Sequence, residues 1–593
     1  MGRLRILKAG ETAMLIETDG LDAAMGLYDS IQDARQRLED GHRGNDDGSN
    51  RDEGDDAAFA AIREVIPAAR TVLVSYEPLL VSARELGRAI RRLGVVAATH
   101  RDDTHARTVV VPVVYDGEDL EGVAKVLGMS VQSLIAWHTA KPWRAAFTGF
   151  APGFAYLTGG SRIHDVPRRA EPRLSVPAGS VGLAGRFSGV YPRASSGGWQ
   201  LIGATDMVMW DDRGDPPATI SPGDRVSFRA VREHVAVMVV PTARHGFEPT
   251  GRTPGDDPAL RVVRPGMLAV VEDDGRVAAR LGVTGSGSAD RAAAHVANAL
   301  VGNPDGEPVI ELTGGNAEFT AFRDVVIAIT GAPVPIVIRG AAEHSADDEA
   351  DDSHTDTNSA RRGAAQTSPE VRRVEQRIER QEAFLLRSGE SMTLATPSSG
   401  LRDYLAVQGG FAVRRVLGSA SSDTMARLGP RPLAAGEVLY AAGHPHRTVG
   451  LPMSWAALPT TTTITELALE LGPRDDWFAE RTLADLPKMI WTLTPRSNRV
   501  GLRLHGDVGL RRSVTSELVS EATVPGSIEV PSDGQPVLFL CDQPVTGGYP
   551  VIGVLTRRAL ATAAQLPIGA KIRLVPLDPC RRHHAFHGPS KEG

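Results

Sequence analysis

Two stretches far apart in the chain share one pattern: a small hydroxyl residue, Gly-Gly, an aromatic, any residue, an aliphatic, Ile and Gly. They are Ser196–Gly203 (SGGWQLIG) and Thr546–Gly553 (TGGYPVIG). Each has an upstream partner. Pro177-Ala178-Gly179-Ser180 stands 18 residues earlier, counted from Gly179 to Gly197, and Pro525-Gly526-Ser527-Ile528 stands 21 earlier, from Gly526 to Gly547. A paired motif with similar internal spacing marks duplication, so two related domains are expected. Short apolar runs broken by Gly and Pro surround both copies, and the chain holds 62 Gly and 40 Pro, the punctuation of compact β-barrels. Paired glycines permit φ > 0 and let backbone N–H groups approach a ligand. Trp199 or Tyr549 beside them offers a flat face or a hydrogen-bonding edge. The competing reading is a tight turn beside a core aromatic.

A chain of 593 residues is too long for one hydrophobic core. Residues 1–105 alternate strand and helix patterns and read as a small α+β domain, with a polar stretch at about 40–57 expected to be disordered. Short strands fill 106–245. The pattern restarts after Pro265, which divides the rest into 260–340 with 383–455, and 456–576. The acidic segment 341–368 and the basic, His-rich tail 577–593 are expected to be disordered. The fold class is therefore mainly β with α+β. A net charge of −7 gives no reason to expect nucleic acid, and two cysteines rule out a disulfide framework. No apolar run reaches the length of a membrane span, and the N-terminus meets charge too soon for a secretory signal, so a cytoplasmic protein is expected. The oligomeric state is left open.

FTGFAPGFAYLTG (147–159), VPRRAEPRLSVPAGSVGLAG (166–185) and GVYPRASSGGWQLIG (189–203) closely resemble the B subunit of bacterial ATP-dependent 5-oxoprolinase, a group that includes the Kip-type inhibitor of a histidine kinase. SGSADRAAAHVANALVGNP (286–304), GLRDYLAVQGGFAVRRVLGSASSDT (400–424), SNRVGLRL (497–504) and VPGSIEVPSDGQPVLFLCDQPVTGGYPVIG (524–553) resemble the C subunit, the biotin-dependent carboxyltransferase-like family. The same pair of modules resembles the carboxyltransferase region of urea carboxylase. The resemblance implies cyclophilin-like β-barrel domains after the small α+β domain: one in 106–245, and two halves in the C-like region that follows. It implies opening of the lactam of 5-oxo-L-proline to L-glutamate, with ATP and Mg²⁺ as cofactors and the enzyme's separate A subunit for partner. Two other functions remain open: a carboxyltransferase served by a partner biotin carrier, and a binding protein that regulates a histidine kinase.

Within the matched motifs, Arg173, Arg276, Arg402 and Arg499 are candidates to hold a carboxylate or phosphate. Gly179, Ser180, Gly197, Gly198, Trp199, Ser286, Gly287, Asp290, Tyr404, Gly526, Gln535, Thr546, Gly547, Gly548 and Tyr549 complete the candidate substrate- or nucleotide-binding set. Asp290 also reads as a helix N-cap. Asp542, between an apolar strand and the TGGY turn, is a carboxylate in need of a partner and a candidate catalytic group. His138 is a candidate acid–base, with a satisfied core histidine as the plainer reading. Glu272 and Glu529 stand where the resembled family has Gln; two carboxylates there would repel an anionic substrate unless a metal or Arg intervened. No G-x-x-x-x-G-K-[ST] occurs, so no P-loop holds ATP, and no Met-Lys-Met biotinylation signature is present. Cys580, His583, His584 and His587 cluster in the tail but lack a second ligand pair, and no metal site is expected.

Overall fold

The computed structural model describes residues 4–41, 53–93, 107–159, 164–169, 171, 173–233, 257–340, 375–378 and 381–577. The expected disordered segment 341–368 and the tail beyond 577 lie outside them. The stretch at 40–57 is corrected at both ends: one helix runs to Gly41 and another begins at Glu53, while 42–52 are outside the described residues.

The N-terminal unit comprises β1 (Arg5–Lys8), β2 (Ala13–Glu17), α1 (Leu21–Gly41), α2 (Glu53–Ala60), β3 (Ile62–Pro67), β4 (Thr71–Tyr76) and α3 (Ala83–Leu93). Its antiparallel sheet has the order β1-β2-β4-β3. Strand side chains alternate between faces, and here both faces are apolar. Ile6, Met14, Ile16, Val72 and Val74 pack under the helices. Leu7, Leu15 and Leu73 point the other way and pack on Ala279, Ala522 and Val545 of the C-terminal half. The domain is therefore fastened to the rest of the chain through the second face of its sheet.

The next unit comprises β5 (Thr108–Val113), α4 (Leu120–Val126), α5 (Val131–Thr139), β6 (Trp143–Thr148), β7 (Ala155–Gly159), β8 (Arg173–Val176), β9 (Ser180–Ala184), β10 (Phe187–Val190), β11 (Ser195–Gly197), β12 (Gln200–Ala204) and β13 (Arg225–Ala230). Seven strands run in the order β12-β9-β10-β7-β6-β13-β5. A bridge between Val114 and Ala204 brings the two edges together, which removes unpaired strand edges. Ser130 caps α5 by accepting the Ser133 N–H at 3.1 Å.

Residues 257–440 contribute β14 (Pro258–Arg264), β15 (Leu268–Glu272), α6 (Arg291–Val301), β16 (Val309–Thr313), β17 (Ala317–Ala321), β18 (Val325–Gly331), β19 (Ile336–Arg339), β20 (Glu375–Ile378), β21 (Ala383–Leu386), β22 (Ser391–Leu394), β23 (Arg402–Val407) and β24 (Val438–Tyr440). A six-stranded sheet, β20-β19-β22-β17-β14-β24, and a five-stranded sheet, β15-β16-β23-β18-β21, enclose one core. The outer face of the second sheet carries α6.

The last unit comprises β25 (Ile464–Leu471), α7 (Glu480–Asp485), β26 (Trp491–Leu493), β27 (Gly501–His505), β28 (Glu521–Ala522), β29 (Ser527–Glu529), β30 (Val537–Phe539), β31 (Thr546–Gly547), β32 (Val551–Leu555), α8 (Arg557–Ala564) and β33 (Lys571–Pro576). Its closed barrel is β25-β32-β29-β30-β27-β26-β33. Started from β32, this ring repeats the order of the 107–230 barrel strand for strand. Even its one parallel pair, β25 with β33, matches β5 with β13. The repeated sequence motifs occupy equivalent places: each Gly-Gly ends a two-stranded ribbon (β8–β11 and β28–β31), and each leads into a barrel strand, β12 or β32.

The glycines behave differently from the sequence expectation. Gly179 and Gly526, in the upstream partners, hold φ of +79° and +89°. The Gly-Gly pairs do not adopt φ > 0. The first glycine of each is instead needed for close approach: a Cβ on Gly197 would strike the Tyr191 hydroxyl, and one on Gly547 would strike the Glu529 carboxyl.

Candidate functional site

The first barrel, the two-sheet unit and the closed barrel meet along one seam. From the first barrel, the turn after β6 reaches across. The Phe150 N–H donates to Thr546 Oγ1 at 3.2 Å, Thr148 Oγ1 donates to the Arg280 carbonyl at 2.6 Å, and the Gly153 N–H donates to the Leu281 carbonyl at 3.2 Å. Phe150 has a φ of +64°, in the left-handed region, so this turn is held against its own preference.

Arg499 lies at the centre of the seam with a 1% exposed side chain. It donates through Nε and Nη2 to Asp542 at 3.2 Å each, through Nη2 to the Gly287 carbonyl at 2.8 Å, and through Nη1 to Glu311. Arg402 also donates to Glu311, at 3.2 Å, and Tyr404 donates to the other Glu311 oxygen at 3.0 Å. The strand register explains the grouping. Glu311 opposes Tyr404 on the adjacent strand, so both leave the same face of the sheet, two residues from Arg402. Tyr404 accepts the Asp290 N–H at 2.7 Å, and Asp290 caps α6 while accepting Gln565 Nε2 at 2.9 Å.

Asp542 is saturated. Besides Arg499 it accepts Ser286 Oγ at 2.5 Å, Thr424 Oγ1 at 2.6 Å and the Thr424 N–H at 3.0 Å. Burial opposes its charge, but Arg499 and these hydroxyls outweigh burial and hold the carboxyl below its usual range. Glu311 is likewise held low by Arg499 and Arg402 against burial. Asp423 faces the other way. Burial, and then the charge of Asp542, push it up to about 6. The opposing contacts are the Ala426 N–H at 2.6 Å, Arg276, and Thr284 Oγ1 at 3.0 Å. Two neighbouring buried carboxyls are thus set apart, one held ionised and one titrating close to neutrality.

Glu272 and Glu529 are both buried. Burial raises Glu272 well above its usual value, and the nearby Asp542 and Glu311 add to this against the pull of Arg499. Burial pushes Glu529 up to about 8, with the Tyr549 backbone opposing. Glu529 therefore carries a proton at neutral pH, and a protonated Glu matches the donor and acceptor of Gln in shape. Glu272 lies 3.1 Å from Arg499 Nη2, so an arginine stands beside the carboxyl, as the sequence reading required. Because the folded state holds the Glu529 proton while the unfolded chain releases it near 4.5, stability falls as pH rises from about 4.5 to 8. Glu529→Gln is expected to flatten that decline. Urea titrations at pH 5 and 8 should show the variant ahead only at pH 8, and an equal offset at both would reject the assignment.

The seam gathers Ser286, Gly287, Asp290, Arg402, Tyr404, Arg499 and Asp542 into one network, with Arg276 beside it and Thr546, Gly547, Gly548 and Tyr549 at its edge. The remaining candidates lie elsewhere. Arg173 is paired with Asp119 at 2.8 Å and Glu118 at 3.0 Å on the first barrel. Gly179, Ser180, Gly197 and Gly198 shape its turn and ribbon, and Trp199 is buried among Phe154, Tyr156 and Tyr191 rather than presenting a face. Gly526 shapes the matching turn, and Gln535 clamps Gly506 by two backbone hydrogen bonds. His138 is sealed inside the first barrel, between Tyr115 Oη at 2.7 Å and Ser188 Oγ at 2.9 Å and stacked on Phe228. Burial lowers its pKa to about 3, so it stays neutral and reaches no solvent: the structural reading replaces the acid–base one. Glu311, Asp423 and Gln565 join the site without having been singled out in the sequence. Among the described residues no group of three or more His, Cys, Asp or Glu is placed to hold a metal, and no helix is long and apolar enough to cross a membrane.

Comparison with known proteins divides the chain at the same place. Residues 4–220 match the model of the carboxyltransferase domain, subdomains C and D; residues 281–351 and 343–576 match the carboxyltransferase domain, subdomains A and B. A 145-residue stretch is 42% identical to the B subunit of Bacillus subtilis 5-oxoprolinase, covering 24% of this chain and 60% of that protein. A 320-residue stretch is 30% identical to the C subunit of Escherichia coli 5-oxoprolinase, covering 53% of this chain and 90% of that protein. The crystal structure of TTHA0988 superposes with a TM-score of 0.70 at 30% identity, over 89% of this chain and 98% of that one.

Proposed function

Because this chain belongs to the carboxyltransferase-domain family and joins in one polypeptide the regions that match the B and C subunits of 5-oxoprolinase, we propose that it is the B–C component of an ATP-dependent 5-oxoprolinase. In this reading it opens the lactam of 5-oxo-L-proline to L-glutamate together with the enzyme's separate A subunit. The observation that carries the reading is the seam, where the B-like barrel and both C-like units contribute to one buried polar network.

A lactam carbonyl is a poor electrophile, and ATP, when bound, would supply a phosphoryl group to the amide oxygen, which opens the carbonyl carbon to water so that the ring nitrogen can leave. The chain fits a polyanion at one point: Arg276 has two buried guanidinium nitrogens, Nε and Nη1, without hydrogen-bond partners. With no cluster of metal ligands among the described residues, Mg²⁺ would arrive on the nucleotide phosphates. Asp423, held by the Ala426 N–H and Thr284, is the group that exchanges a proton near neutrality. Asp542 has no lone pair left for a substrate proton. It acts by fixing Arg499, Ser286 and Thr424.

The test is ATP-dependent glutamate release from 5-oxoproline by the purified chain, with and without the A subunit. Release that requires both is expected. No release in any pairing, with the protein folded, would overturn the reading, and activity that instead required a biotin carrier would replace it with the carboxyltransferase one.

A further inference from the structure

We propose that Arg193, on the loop between β10 and β11 of the first barrel, joins Arg276 and Arg427 across the seam to form a receiving site for an oxyanion, either a small carboxylate or a phosphate.

Arg276 has a side chain with 0% exposure, and its hydrogen bonding is confined to Nη2, which donates to the Ser421 carbonyl. Its Nε and Nη1 have no hydrogen-bond partner, and Asp423 is 4.0 Å from Nη1, the outer limit of an ion pair. Arg193 comes from the opposite module. Its Nε is buried and unpartnered among the described residues, and its charge acts on both Asp423 and Arg427. Arg427 is exposed and holds a φ of +55°, a left-handed conformation that a non-glycine residue adopts at a cost. It is fixed on the tight turn in which Asp423 and Leu428 bridge. A further unpartnered donor is nearby: the indole N–H of Trp210 is buried, and its ring packs against the cluster containing Ala426 and Leu428.

The donors outnumber the acceptors offered to them. Arg499 and Arg402 are engaged with Asp542, Glu311 and Glu272. Around Asp423, by contrast, Arg276 Nε and Nη1 and Arg193 Nε have no hydrogen-bond acceptor. Burying guanidinium N–H groups without acceptors is costly, and an oxyanion supplies the acceptors that the protein withholds. Arginine forks suit both planar carboxylates and tetrahedral phosphates. Arg193 and Trp210 come from the B-like part of the chain, and Arg276 and Arg427 from the C-like part, so the site exists only when the two are assembled. The argument from unpartnered donors stands by itself; only the choice of 5-oxoproline and ATP as probes rests on the proposed function.

Calorimetric titration of the full chain with inorganic phosphate, ATP and 5-oxo-L-proline tests the site. Arg193→Met is expected to weaken at least one of these by about tenfold or more, with Arg193→Lys recovering part of the loss and the melting temperature little changed. Arg427→Met, at an exposed position, repeats the test should Arg193→Met fail to fold. Weakening confined to phosphate and ATP identifies a phosphate site; weakening confined to 5-oxoproline identifies a carboxylate site. Wild-type affinity for all three in both Met variants would overturn the proposal, as would a wild-type chain that binds none of them. Loss of phosphate binding in a protein that releases no glutamate when the A subunit is supplied would keep the site and remove the proposed function. Unaltered binding by both variants of a chain that does release glutamate would do the reverse.

Discussion

Arg499→Met is expected to cost about 3–5 kcal/mol of stability, the usual result of leaving buried charges without their partner. Methionine fills much of the arginine volume, so the loss is electrostatic rather than a packing void. Glu311 would keep Arg402 and Tyr404, but Asp542 would keep only hydroxyl and amide donors. Arg499→Lys should fall between the two, since one ammonium cannot serve Asp542, Glu311 and the Gly287 carbonyl together. The control is Arg5→Met at the partly exposed pairs with Asp476 and Glu17, where about 1 kcal/mol or less is expected. Urea unfolding followed by tryptophan fluorescence measures all three. A loss at Arg499 no larger than at Arg5 would show that the network does not hold the seam.

Asp423→Asn is expected to lower ATP-dependent glutamate release by about 10²–10⁴-fold, the range for losing a positioned acid–base group. The substitution is nearly isosteric. Its amide oxygen can still accept the Ala426 N–H, and its nitrogen can donate to Thr284 Oγ1, so the turn should keep its shape. The pH profile separates a chemical from a structural role. In the wild type, kcat/KM should carry an ionisation near 6, the value to which burial and Asp542 bring Asp423. The variant should lose that limb and keep its melting temperature. Wild-type rates across pH would remove Asp423 from the chemistry.

The repeat was the most legible feature because it is local: turn, ribbon and strand follow one another in sequence, and the duplicated strand order follows from them. The seam was legible only on one side. Ser286, Asp290, Arg402, Tyr404, Arg499 and Asp542 lie in long family-like motifs. Their partner Glu311 is a single acid inside the apolar strand VIELT, and a period-2 pattern does not say what its outward face will meet. Asp423 lies within a quoted motif, but its character comes from Asp542, brought close only by the packing of one unit on another. The same packing decided against His138 and Trp199, whose residue types suit a site and whose surroundings are core.

The seam also sets a timetable. Glu311 and Arg499 are 188 residues apart, and Phe150 and Thr546 are 396 apart. At ribosomal rates of about 5–20 residues per second, Glu311 waits about 10–40 s for its arginine. During that interval Glu311 has Arg402 and Tyr404 of its own unit, and the face that Arg499 will cover remains in water, where charge is tolerated. The closing ion pairs therefore form after the units they join, and the newly made chain passes through a stage with sound domains and an open joint, which a partner arriving early would meet first.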